Sequence, residues 1–107
     1  MSVTVIVKAN RIPQIKGEAK RRAEEAVEKA VFDIEARAKS VAPVRTGFLK
    51  SSIQGSASGL EGRVDAQAHY AAHVEFGTSR MGARPFLIPA AEAVRASFDA
   101  AMRRIVK

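Results

Sequence analysis

A single helical pattern runs from Gln14 to Val41 and is stopped by Pro43. Val27, Val31, Ile34, Ala38 and Val41 recur at helical steps, and Ile12, Ile15, Ala19, Ala23, Ala26 and Ala30 widen the same side. So broad an apolar stripe suits a helix laid on a sheet. The other side is charged. Glu25 precedes Lys29 by one turn, a favourable order, whereas Glu24–Glu28 and Lys16–Lys20 set like charges at that spacing. Gly17 weakens the start of the pattern by about 1 kcal/mol relative to Ala. Asp33 and Arg37 interrupt the stripe and read either as a local ion pair, with Arg37 reaching outward along its stem, or as an Arg that meets a carboxylate from another element or subunit. Pro43 cannot continue the helix and biases Ala42 out of helical geometry. Thr46-Gly47 then supplies a turn. The stretch Ala42–Ile53 therefore converts helix to sheet and sets Arg45 on a rigid exposed corner.

Ser2 to Lys8 alternates as a strand, with Val3, Val5 and Val7 on one side. Ser51–Ser58 and Leu60–Ala68 read as a hairpin about Ser58-Gly59, the first strand thin in side chains. Tyr70 to Phe76 fits either a short helical turn or a strand. Gly77 to Arg84 is a loop, and Thr78 to Arg84 are expected to be poorly ordered in an isolated subunit and ordered in an assembly. Pro85-Phe86-Leu87-Ile88-Pro89 leads into a last helix striped by Leu87, Ala90 or Ala91, Val94, Phe98, Ala101 or Met102, and Ile105. The expectation is one domain over residues 1–107, of α+β class. A long N-terminal helix and a C-terminal helix pack on a small, mainly antiparallel sheet, with a long Gly/Arg/Met loop.

Charge and cysteine usage bound the function. Eighteen Lys and Arg against eleven acids give a net charge of +7. Residues 1–42 hold nine cations and six acids, and residues 43–107 nine and five, so no basic tail explains the excess. Phosphate or an acidic protein surface would be attracted. Cys is absent, which excludes disulfides, thiolate metal sites and a thiol nucleophile, and suits a reducing cytoplasm or a particle assembled there. The first residues lack the basic start and length of a signal peptide, and no apolar run reaches membrane-spanning length. With no Trp and much Ala, the core is modest, and stability is expected to gain from assembly.

No constellation points to catalysis. His69 and His73 are four apart, but two histidines do not fill a zinc site, and the metalloprotease glutamate is missing. Gly77-Thr-Ser-Arg-Met-Gly82 lacks the Lys-Ser/Thr ending of a phosphate loop, no nucleophile elbow is present, and the carboxylates are scattered singly. No cofactor or metal is expected, and no enzyme activity.

Ala42-Pro-Val-Arg-Thr-Gly-Phe-Leu-Lys-Ser-Ser-Ile53 resembles the "APVRTGNLRRSI" signature of small head–tail connector proteins of long-tailed bacteriophages and prophages, also called neck, tail-completion or minor tail proteins. Tyr70-Ala-Ala-His-Val-Glu-Phe-Gly-Thr78 and Ala83-Arg-Pro-Phe-Leu-Ile-Pro-Ala90 resemble the same family, in its order and at about its spacing. Phe48 stands where the family commonly has a polar residue, and His73 where Tyr is common. The resemblance implies a structural virion protein of the head–tail junction, assembled in the host cytoplasm. It implies a ring of identical subunits joining the tail to the DNA-filled head. Its expected partners are other copies of itself, neighbouring connector, tail-terminator or tail-tube proteins, and non-specific contact with DNA in the lumen. The interface expected on this reading is Arg45, Thr46, Gly47, Phe48, Glu75, Gly77, Thr78, Met81, Arg84, Pro85 and Phe86. The competing reading is a small basic nucleic-acid-binding module.

Overall fold

The computed structural model describes residues 3–9, 17–42 and 48–105. Along the chain run strand β1 (Val3–Lys8), helix α1 (Gly17–Val41), the short helix α2 (Phe48–Ser51), strands β2 (Ile53–Ser58) and β3 (Glu61–Ala66), the short helix α3 (Ala71–Phe76) and helix α4 (Leu87–Ile105). The architecture is α+β, as expected.

The hairpin forms where the sequence marks it. β2 and β3 pair antiparallel from Ile53↔Ala66 to Ser58↔Glu61, and Gly59, at φ +61°, makes the turn with Leu60. β1 adds to the far side of β3, also antiparallel, from Val3↔Ala66 to Lys8↔Glu61, giving the order β1-β3-β2. The register puts Val3, Val5, Val7, Val64, Ala66, Ile53, Gly55 and Gly62 on one face. α1 covers that face with Ala23, Val27, Ala30, Val31, Ile34 and Ala38.

Two glycines set how closely α1 approaches. A Cβ on Gly62 would overlap Val31 Cγ2 and sit 3.0 Å from Val27 Cγ1, and one on Gly55 would lie 2.6 Å from Val31 Cγ1. The missing side chains make the groove that Val31 fills. Glu35 uses the same proximity: its Oε1 accepts the Gly55 amide at 2.8 Å, occupying an edge-strand donor that would otherwise face solvent. Lys39 holds the other carboxylate oxygen at 2.9 Å. α4 packs beside α1, with Leu87, Ala90 and Val94 buried and Phe98 and Met102 half-buried against the core. At the start of α1, Arg21 bonds Glu18 at 2.6 Å, and that bond and the guanidinium charge hold the Glu18 carboxyl below its ordinary value. An acid in a first helical turn also suits the helix dipole.

Four sequence expectations are corrected. Val41 is exposed because the core-facing positions at the end of α1 are Ala38 and Ala42, both buried, and Val41 points outward beside them. Ser51 lies in α2 and not in a strand: the Ser51 and Ser52 hydroxyls donate back to the carbonyls of Phe48 and Leu49, which favours a turn. Asp33 pairs with Lys29 at 2.8 Å and not with Arg37, which is exposed. Lys29 is thereby drawn away from Glu25, which Arg21 approaches at 3.9 Å. The expected helical residues 14–16 lie outside the described residues.

Candidate docking surface

Glu75 organises one end of the molecule. It lies in α3, is only 2 % exposed, and points at the start of α4. Its Oε1 accepts the Phe86 amide at 3.2 Å and the Leu87 amide at 2.9 Å, and its Oε2 accepts the Ile88 amide at 3.1 Å. A helix leaves its first four N–H groups without internal partners. Here three are taken by one carboxylate, and the fourth position is Pro89, which has no N–H. A negative charge at a helix N-terminus is further stabilised by the dipole.

The loop between the two helices is built to permit this. Gly77 adopts φ 79°, and a Cβ there would lie 2.8 Å from the Ala83 nitrogen. Both facts require glycine. Thr78 N donates to Met81 O at 2.8 Å and Met81 N to Thr78 O at 3.3 Å, while Thr78 Oγ1 accepts Arg80 N. Arg84 N then donates to Val74 O at 2.8 Å, tying the loop exit to α3. The Gly/Arg/Met loop is thus a folded turn with its side chains outward: Thr78, Arg80, Met81, Arg84 and Pro85 are exposed.

α2 joins the same end. Leu49 anchors it in the core, while the Phe48 ring lies 6.2 Å from Tyr70, which also meets His69 edge-on at 5.3 Å. Segments 48–53, 70–78 and 83–90 therefore converge, through the Phe48–Tyr70 contact and the Glu75 cap. Their exposed side chains are largely apolar, with Phe76 64 % and Phe48 54 % accessible and Ile88 beside the cap also exposed, and Met81 in the loop between the last two segments is 44 % accessible. Lys50, Arg80 and Arg84 are its exposed formal charges, since the only acid in these segments is the inward-facing Glu75. Apolar centres with aromatic, Met and Arg enrichment mark protein interfaces.

Of the expected interface residues, Phe48, Thr78, Met81, Arg84 and Pro85 stand on this surface, and Gly77 shapes it. Glu75 and Phe86 are internal: one caps α4, and the other fills the core. Arg45, Thr46 and Gly47 lie outside the described residues. Phe76, Ile88, Lys50 and Arg80 belong to the surface and were not anticipated. The readable signal for Glu75 was a missing cap: Ala83-Arg84-Pro85-Phe86 offers no Ser, Thr, Asp or Asn before α4, so the acceptor had to come from elsewhere. Among the described residues, no group of three or more His, Asp or Glu could hold a metal, and no helix is long and apolar enough to cross a membrane.

Residues 6–77, about two thirds of the chain, match the protein family described as "Bacteriophage HK97-gp10, putative tail-component". The chain belongs to this family. It is a phage tail component, which places it with the structural proteins of the virion. The matched span contains α2, α3 and Glu75, and the carboxylate carries the connection on to residues 86–88. No curated protein and no solved structure matched the chain in the other two comparisons.

Proposed function

We propose that this tail component acts at the head–tail junction, as a ring subunit that completes the tail and joins it to the DNA-filled head. The chain acts as one domain with a structural role and no catalytic one. Its neighbours in the ring are copies of itself, its neighbours along the axis are connector, tail-terminator or tail-tube proteins, and DNA passes through the lumen. The observation that carries this reading is the meeting of segment 48–53 with the α3–α4 region, through Phe48–Tyr70 and the internal Glu75 cap, where Phe48, Phe76 and Met81 are left exposed. A soluble monomer with no partner has little reason to build a rigid platform for Phe48, Phe76 and Met81. A rigid mount also lowers the entropy lost on docking.

Immunogold labelling of intact particles tests the location. Label confined to the joint between head and tail is the expected result. Label along the tail shaft, or at its distal tip, would contradict the head–tail assignment while leaving the tail component itself in place.

A further inference from the structure

The outward side of α1 carries a local cost with no internal remedy: Glu28 is exposed, and Glu24 is half-buried with its carboxylate beside the Gly59 turn. Glu24 and Glu28 stand one turn apart and repel. Glu18, Glu25, Asp33 and Glu35 on the same helix each meet a cation, but Glu24 and Glu28 meet none among the described residues. One turn further on, Phe32 is 71 % exposed, the most of any large apolar side chain among the described residues. Positions 24, 28 and 32 share one stripe of the helix. Like charges at contact spacing beside a bare aromatic ring break two local rules together, and such departures gather at functional sites.

The docking surface at the α3–α4 end is opposite in charge and alike in apolarity. Lys50, Arg80 and Arg84 have no carboxylate partner among the described residues, and Phe48, Phe76 and Met81, on the same segments and the loop that joins them, are exposed. Two such ends facing each other would set cation against cation. An end set on an α1 stripe instead brings Arg80 and Arg84 to Glu24 and Glu28, and Phe76 and Met81 to Phe32. Glu28 lies about 20 Å along the helix axis from Val41, so one subunit can use both surfaces at once.

We propose that the motif-bearing end of one subunit docks on the Glu24–Glu28–Phe32 stripe of a second copy, an inference that rests on the ring reading above. The contact is heterologous, so every copy keeps one free surface of each kind, and a closing rotation yields a ring. The aromatic and Met side chains supply most of the affinity. The charges fix the register and exclude end-to-end pairing.

Charge reversal tests the pairing, because none of the four charged side chains bonds within the described chain. E24K/E28K and R80E/R84E are purified separately and weighed in solution by light scattering, beside the wild type. The wild type is expected to form a closed oligomer, and each variant alone a monomer with an unchanged melting curve. An equal mixture of the two variants should reassemble, with alternating subunits and an even total, and the quadruple variant should assemble alone. If either double variant forms the wild-type oligomer by itself, the contact is wrong and the ring reading stands. If the wild type is monomeric at every concentration, both fall. If R80E/R84E loses binding to a duplex oligonucleotide while its oligomer mass is unchanged, these arginines face phosphate and the contact is again wrong.

Discussion

The Leu87 amide donates to Glu75 Oε1 at 2.9 Å, across twelve residues of chain, and this single carboxylate fixes where α4 begins. Because Phe86 and Ile88 donate to the same group, the loop between α3 and α4 has both ends defined by one side chain. The surface of the loop is therefore placed by an interior interaction.

Removing that acceptor should be costly. Glu75→Ala leaves three N–H groups near or in the core unpaired, and a loss of about 2–4 kcal/mol is expected. Glu75→Gln should fall between parent and Ala: its amide oxygen can still accept from Leu87, but its NH2 group would face the Ile88 amide, donor against donor. Urea unfolding of the three proteins measures this order. A Glu75→Ala protein as stable as the parent would remove the cap from the account.

The closeness of α1 to the hairpin gives a second test. Gly62→Ala forces a methyl group against Val31 and should cost about 1–3 kcal/mol. Val31→Ala alone should also destabilise, by leaving a cavity. Together the two should cost less than their sum, because the shortened Val31 makes room for the new methyl group. Additive losses in a double-mutant cycle would show that the two residues do not meet. Val31→Asp, which buries a charge with no partner, should cost several kcal/mol.

Hydrogen exchange separates the two kinds of backbone in the loop. The Arg84 and Thr78 amides are bonded to Val74 O and Met81 O, and should be protected in the free subunit. The Gly82 and Ala83 amides donate to no described residue and should exchange quickly until assembly covers them. Uniformly fast exchange from Thr78 to Arg84 would contradict the folded turn.

Much of this fold could be read from the sequence, because its signals were periodic. The stripe of α1, the alternation in β3 and the Ser58-Gly59 turn each repeat one rule over several residues. In sequence Val41 continues that rule, but the buried positions step from Ile34 to Ala38 to Ala42, so Val41 falls just off the covered side. The site was less legible because its central residue obeys no period. Glu75 looked like one more acid near a Gly-rich loop, and only the packing of α3 against the start of α4 shows it facing inward. Phe86 misled for the converse reason: it follows exposed Arg84 and Pro85, yet turns into the core with the first residue of α4. Phe76 gave no separate signal, since an exposed ring at a short helix end has the same sequence appearance as a buried one.

Phage complementation by a docking-surface variant tests the central claim most directly. Phe76→Ser/Met81→Ser alters only exposed side chains, spares the Phe48–Tyr70 contact, and should melt close to the parent, because such positions contribute little to the core. Supplied as the only copy during particle production, it should leave filled heads and tails unjoined, counted by electron microscopy. Joined particles at the parental frequency, from a variant that folds like the parent, would contradict the assignment of this end as the docking surface.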